Sequence, residues 1–220
     1  AQEGVLLNSN YNRFSLRLNS EYRFTDRIRI GFNAAPTVST SKTPQSDGTW
    51  YDGTAMIQGA LLSSPLAPYK NEDGTIPVNT SGYGTADGPN YYNMVNEVKN
   101  TSRRVGLLAN AFLEVEPFKN LILKTSANVD LANSISDSFN PASAGGIFNP
   151  GNPSDVSRIS ASHNDNSYYT WLWENTANYR FVLGDHGFDA LGGFTMQRFR
   201  EESGTMNGRD FPDGRVQTLN

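Results

Sequence analysis

Six stretches of the chain alternate apolar and polar side chains with a period of two, which in an extended backbone sends the two sets to opposite faces. In the first, residues 12–24, Phe14, Leu16, Leu18, Ser20, Tyr22 and Phe24 fall on one side, and Arg13, Ser15, Arg17, Asn19, Glu21 and Arg23 on the other. After Thr25 and Asp26 the alternation resumes over 27–34, with Ile28, Ile30, Phe32 and Ala34 on the uncharged side, so the two stretches predict a hairpin with a tight turn. A second hairpin is predicted from 104–116 and 121–131, turning through Pro117, Phe118, Lys119 and Asn120. A third joins 168–181 to 188–198 through the segment VLGDHG, residues 182–187. In the first five of these stretches every charge lies on one face. Between the hairpins, 35–102 and 132–167 are rich in Gly, Pro, Asn, Ser and Asp and read as long loops. Within the first, Ala55, Met56, Ile57, Ala60, Leu61 and Leu62 recur at a helical period behind Asp52, a capping residue, and ahead of Pro65. This predicts one short helix over 54–63.

A charge-free face packs against a second sheet in a soluble sandwich or against lipid in a barrel. Three features favour the barrel. Strands of about 12 residues, tilted by about 40°, cross an apolar band of roughly 25 Å, whereas sandwich strands are usually half as long. Aromatics gather at the ends of the charge-free faces, with Tyr22, Phe24, Tyr179 and Phe181 by the short turns and Tyr169, Trp171 and Trp173 at the far end. Short turns alternate with long loops, as periplasmic turns and extracellular loops do in outer-membrane barrels. The predicted fold is therefore all-β: an antiparallel transmembrane β-barrel segment of three long hairpins, with one short helix in the first long loop. Ser20 and Asn175, polar on the supposed lipid face, speak against it locally.

Composition changes this picture little. At 220 residues with 37% hydrophobic residues and a mean hydropathy of −0.52, the chain resembles a soluble protein. Barrels, however, average lipid-facing and water-facing residues to the same value. No apolar run approaches the ~20 residues of a membrane helix, and no signal peptide is visible. Cysteine is absent, which excludes disulfides and thiolate-ligated metals, and a net charge of −4 leaves no footprint for nucleic acid. Six strands are fewer than the smallest common closed barrel contains, about 8, so the chain is expected to be a segment of a larger protein.

The runs YNRFSLRLNSEYRFTDRIRIGFN (11–33), SSPLAPYKNEDGT (63–75), LLANAFLEVEPFKNLILKTSANVD (107–130), YTWLWENTANYRF (169–181) and HGFDALGGF (186–194) resemble, in order, pieces of SusC/RagA-type TonB-dependent transporters. The resemblance implies part of a 22-stranded outer-membrane barrel, with the plug and the TonB box outside this chain. It also implies a SusD-like lipoprotein lid, energy supplied by the TonB complex, and a cargo of oligosaccharides or peptides. A non-transporting β-rich adhesin or binding module is the alternative of a different class.

If ligand is held by the loops, as the resemblance implies, then Trp50, Tyr51, Tyr69, Tyr83, Tyr91 and Tyr92 are candidate stacking surfaces. The plainer reading is that they pack the loop against itself. Arg13, Arg17, Arg23, Arg27, Arg29, Arg104 and Arg180 are expected to face the lumen, where contact with a plug is the favoured role and orienting an acidic ligand the other. Glu114, Glu116 and Glu174 could face one another there, which any water-filled or plug-filled barrel tolerates. Asn71, Glu72, Asp73 and Gly74 lack calcium-loop spacing and read as an Asp-Gly turn, and Gly82–Asp87 lacks the third glycine of a dinucleotide site. His163 and His186 have no ligand-like spacing, and no serine sits in a nucleophile elbow. Neither a metal, a cofactor nor an enzymatic activity is expected.

Overall fold

The computed structural model describes residues 1–44, 55–80, 88–145 and 151–219. Its strands are β1 (Gln2–Glu3), β2 (Asn10–Ser15), β3 (Leu18–Thr25), β4 (Ile28–Lys42), β5 (Lys99–Phe118), β6 (Leu121–Asn140), β7 (Ser160–Leu183) and β8 (His186–Arg209). Two short helices, α1 (Met56–Leu62) and α2 (Tyr91–Glu97), lie between β4 and β5. All strands join one antiparallel sheet in the order β1-β2-β4-β5-β6-β7-β8, with β3 also on β4. The sheet is open, a barrel wall that this chain does not close.

β2 and β3 are one line of chain. The pairs Ser15–Thr37 and Leu18–Ala34 keep the same register on β4, and the interruption lies opposite Pro36. Leu16 N–H donates to the Pro36 carbonyl at 3.1 Å, but proline has no N–H to return the bond. The alternation therefore crosses the gap unshifted. The hairpin turns are tight: Asn120 (φ 70°) and Gly184 (φ 61°) supply the left-handed backbone that they need.

Register carries the two faces across the whole sheet. Phe32, Ala111, Ala127, Trp173 and Met196 form one cross-strand row, whereas the neighbouring row on the other face is Asn33, Asn110, Asn128, Leu172 and Gln197. The apolar face has no protein cover. Phe14 is 69% exposed, Phe24 60% and Phe194 57%, and among the described residues no second sheet stacks on them. That arrangement is incompatible with a sandwich, whose inner face must be buried. Among the described residues, no helix is long and apolar enough to cross a membrane. Ser20 and Asn175 do stand in the apolar rows, opposite Phe32 and Phe194.

The strands outrun the alternation that predicts them. β4 continues to Lys42 rather than 34, β5 begins at Lys99 rather than 104, β6 ends at Asn140 rather than 131, and β7 begins at Ser160 rather than 168. β8 runs to Arg209 rather than 198. The predicted loops 35–102 and 132–167 shrink accordingly to 43–98 and 141–159. At 24 residues, β7 and β8 are each roughly 80 Å long, well beyond a membrane band of about 25 Å. Their upper halves are polar on both faces, so hydropathy carries no strand signal there. Pairing to neighbours on both sides holds SASHNDNS, residues 160–167, extended despite its loop-like composition.

Candidate functional site

Near the short turns, the polar face is tied by charge. Arg29 donates to Glu21 Oε1 (3.1 Å) and Glu114 Oε2 (2.8 Å), each from a separate guanidinium nitrogen. Its guanidinium also lies 5.7 Å from the Phe112 ring centroid, with Lys124 Nζ 4.9 Å from the same ring. Phe112 lies flat across Gly31, where any Cβ would collide with the ring. One row higher, an amide ladder begins: Asn33 Nδ2 donates to Asn110 Oδ1 (3.2 Å), and Asn110 Nδ2 to Asn128 Oδ1 (2.8 Å). Asn128 Nδ2 continues it to Glu174 Oε2 at 3.3 Å. Above the ladder, the Tyr168 hydroxyl donates to Asp130 Oδ1 (2.8 Å).

Towards the long loops, between the rows of Arg104 and Arg209, the same face carries two rows without charges that are rich in hydroxyls and amides. Ser41, Ser102, Ser136, Asn164 and Thr205 form one row across five strands. Ser136 Oγ donates to Ser102 Oγ (3.1 Å), Thr205 Oγ1 to Asn164 Oδ1 (2.9 Å), and the Ser138 and Ser162 hydroxyls share a bond of 2.7 Å. Such a wall offers donors and acceptors without a fixed charge.

The loop layer beside this wall is organised by Asn90, which is buried. Its Oδ1 accepts from Tyr92 N (3.1 Å) and Asn93 N (3.4 Å) and caps α2, while its Nδ2 donates to the carbonyls of Tyr69 (3.0 Å) and Pro77 (2.8 Å). One side chain thus joins three segments. Below it Met56, Met94, Val95 and Val98 make a small core shared by both helices, with Tyr91 and Ala144 against it. Asn8 Nδ2 reaches the Val95 carbonyl (3.0 Å) and Asn96 Oδ1 (3.1 Å), holding the amino-terminal segment to α2. A hollow of about 310 Å³ opens there, lined among others by Asn8, Lys42, Asn96, Lys99 and Asn100. A turn further out, Asp73 accepts from Thr75 N (2.9 Å) and Thr75 Oγ1 (2.6 Å). The Thr75 hydroxyl, and then its amide, hold the Asp73 carboxyl below the usual carboxylate range.

Of the aromatic candidates, Tyr69 and Tyr92 meet edge to face at 5.0 Å, and Tyr91 covers Gly59 of α1. Trp50, Tyr51 and Tyr83 lie outside the described residues, as does Asp52. α1 is entered through Ala55 with no side-chain cap. By register Arg13, Arg23, Arg29, Arg104 and Arg180 share the polar face, Arg17 lies in the gap between β2 and β3, and Arg180 Nε donates to Asp189 Oδ2 at 2.9 Å. Arg27 sits in the β3–β4 turn, where its carbonyl accepts from Glu116 N (2.8 Å) and so continues the register of Arg29 opposite Glu114 on the same face. The three glutamates do not converge, since Glu114 is held by Arg29, Glu116 accepts from Asn120 N, and Glu174 accepts from Asn128. Sequence reading misses α2 and Asn90. The signal available was an Asn directly ahead of a seven-residue segment with Met94, Val95 and Val98 on one side.

No family model matches the chain. It is 27% identical to TonB-dependent receptor P3 of Formosa agariphila over its whole length, and 25% identical to TonB-dependent receptor P26 of the same organism over 91% of it. The chain spans about a fifth of the length of these curated relatives, 21% and 19%. Among solved structures, it superposes on the RagAB peptide importer in its "open-open" state with a TM-score of 0.68 and 23% identity, covering 96% of this chain and 22% of that one. For the "closed-closed" state the TM-score is 0.61 at 23% identity, covering 93% and 22%.

Proposed function

Taking the chain as a partial barrel segment of a SusC/RagA-like TonB-dependent transporter, we propose that it is wall, lumen lining and extracellular loop of an outer-membrane active importer. The observation that carries this reading is the register-locked division of one sheet into an uncovered apolar face and a polar, hydrogen-bonded one. The apolar rows meet lipid and the opposite rows, with Arg13, Arg17, Arg23, Arg29, Arg104 and Arg180, face the lumen. The turns at Asp26, Asn120 and Gly184 are then periplasmic, and α1 and α2 belong to the extracellular mouth. A barrel of 22 strands, a plug, a SusD-like lid and coupling to the TonB complex belong to the whole protein.

Oligosaccharide is the proposed cargo. The uncharged Ser, Thr and Asn rows at the loop end of the polar face match hydroxyl-rich ligands, which exchange hydrogen bonds without needing a countercharge. Peptide is the second reading, favoured by the superposition on a peptide importer. Calorimetric titration of the full-length receptor with its lid separates them. Saturable binding of neutral oligosaccharides and none of a mixed peptide pool is expected; the reverse pattern establishes the peptide reading, and binding of neither rejects both.

A further inference from the structure

The uncharged row that runs from Thr205 to Ser41 continues by register to Tyr11 on β2 and Gln2 on β1. Seven paired strands thus each hold one uncharged side chain in a single line across the polar face. On that face cations begin one row lower, at Arg13 and Arg104. Contact with water alone does not account for an uncharged line. In the rows directly above and below it, the outward face of the same strands carries Lys42, Arg103, Asp137 and Asp165. The line also keeps hydrogen-bonding capacity. Ser136 Oγ donates to Ser102 Oγ and Thr205 Oγ1 to Asn164 Oδ1, which leaves the Ser102 O–H and the Asn164 Nδ2 group with no acceptor among the described residues. Tyr11 is 38% exposed, and among the described residues its ring meets no other. The loop aromatics differ, since Tyr69 and Tyr92 meet each other and Tyr91 covers Gly59.

Spacing sets the direction in which a ligand can use this line. Neighbouring strands stand about 4.8 Å apart, close to the length of one pyranose ring along a glycan, whereas same-face positions along one strand repeat at about 6.7 Å, as alternate residues of an extended peptide do. We propose that the line from Tyr11 to Thr205 is an oligosaccharide subsite in which the glycan lies across the strands, one ring per strand. Its hydroxyls exchange hydrogen bonds with the Ser, Thr and Asn side chains, and the apolar face of one ring stacks on Tyr11. The inference rests on the oligosaccharide reading of the cargo and adds to it a direction and an aromatic platform.

The test titrates the full-length receptor and its lid calorimetrically with cello-, xylo- and malto-oligosaccharides of two to six rings. One series is expected to bind, with affinity rising at each added ring from two to five. Tyr11→Ala should lower affinity for the five-ring member about tenfold, and Tyr11→Phe, which keeps the ring, should restore it. Ser102→Ala with Ser136→Ala removes both partners of one hydrogen bond and so spares the fold. It should lower the same affinity about fivefold, which provides a readout if Tyr11→Ala does not fold. Heat-modifiable electrophoretic mobility reports the folded barrel of each variant separately. Equal affinity for two and five rings, or affinity unchanged in both the Tyr11→Ala and the double serine variants, overturns the inference while the oligosaccharide reading stands. Binding of none of the three series removes the oligosaccharide reading with it.

Discussion

Asn90 is where the residue scale decides most. Replacing it by alanine removes the α2 cap, worth about 0.5–2 kcal/mol, and leaves the Tyr69 and Pro77 carbonyls without their donor. Asn90→Asp keeps the acceptor and loses the two donated bonds. Limited proteolysis of the full-length protein in the segment 55–98 is therefore expected to speed up most in Asn90→Ala and by a smaller amount in Asn90→Asp; equal effects would mean that the two donated bonds alone matter and the cap does not. At Gly31 the constraint is steric, since a side chain there must displace Phe112 from between Arg29 and Lys124. Gly31→Val should cost about 1–3 kcal/mol, read as a lower thermal midpoint for loss of heat-modifiable mobility. Asn90 was within reach of sequence reading as a cap ahead of Met94 and Val95. That it also holds two distant carbonyls was not, because those contacts span 21 and 13 residues.

At the scale of elements, sequence pattern identifies a strand only where its two faces meet different solvents. Phe14 to Phe24 alternates because one side is apolar and the other wet, and its faces stand as the alternation predicts even across the proline-opposed gap. Ser160 to Ser167 gives no such signal, because pairing, with polar groups on both sides, makes it a strand. α2 escapes for a different reason, since seven residues hold too few turns to establish a period. The Asp73 turn carries a pH dependence of defined sign. Its carboxyl is depressed below the ordinary value, so the turn is stabilised above the unfolded-state range near ~3.9 and loses that contribution as pH falls through the depressed one. Amide exchange at Thr75 in the full-length protein should accordingly stay protected at mildly acidic pH and lose protection only below the usual aspartate range; Asp73→Asn should weaken it at neutral pH.

For the whole molecule, the account stands on which face meets lipid. Neighbouring positions of β5 and β6 offer both environments: Leu113 in the row of Ile30, Thr125 and Asn175, midway between the aromatics Tyr179 and Trp171, and Ser126 in the row of Phe112 and Glu174. A lysine at the bilayer midplane of a barrel costs about 2–4 kcal/mol, whereas a lysine at Ser126 points into water towards Glu174. The deciding measurement is the folded, heat-modifiable fraction of the full-length protein in outer membranes for Leu113→Lys and Ser126→Lys. Leu113→Lys is expected to fall severalfold below wild type while Ser126→Lys stays close to it. Equal fractions, or the opposite order, would contradict the assignment of the apolar rows to lipid.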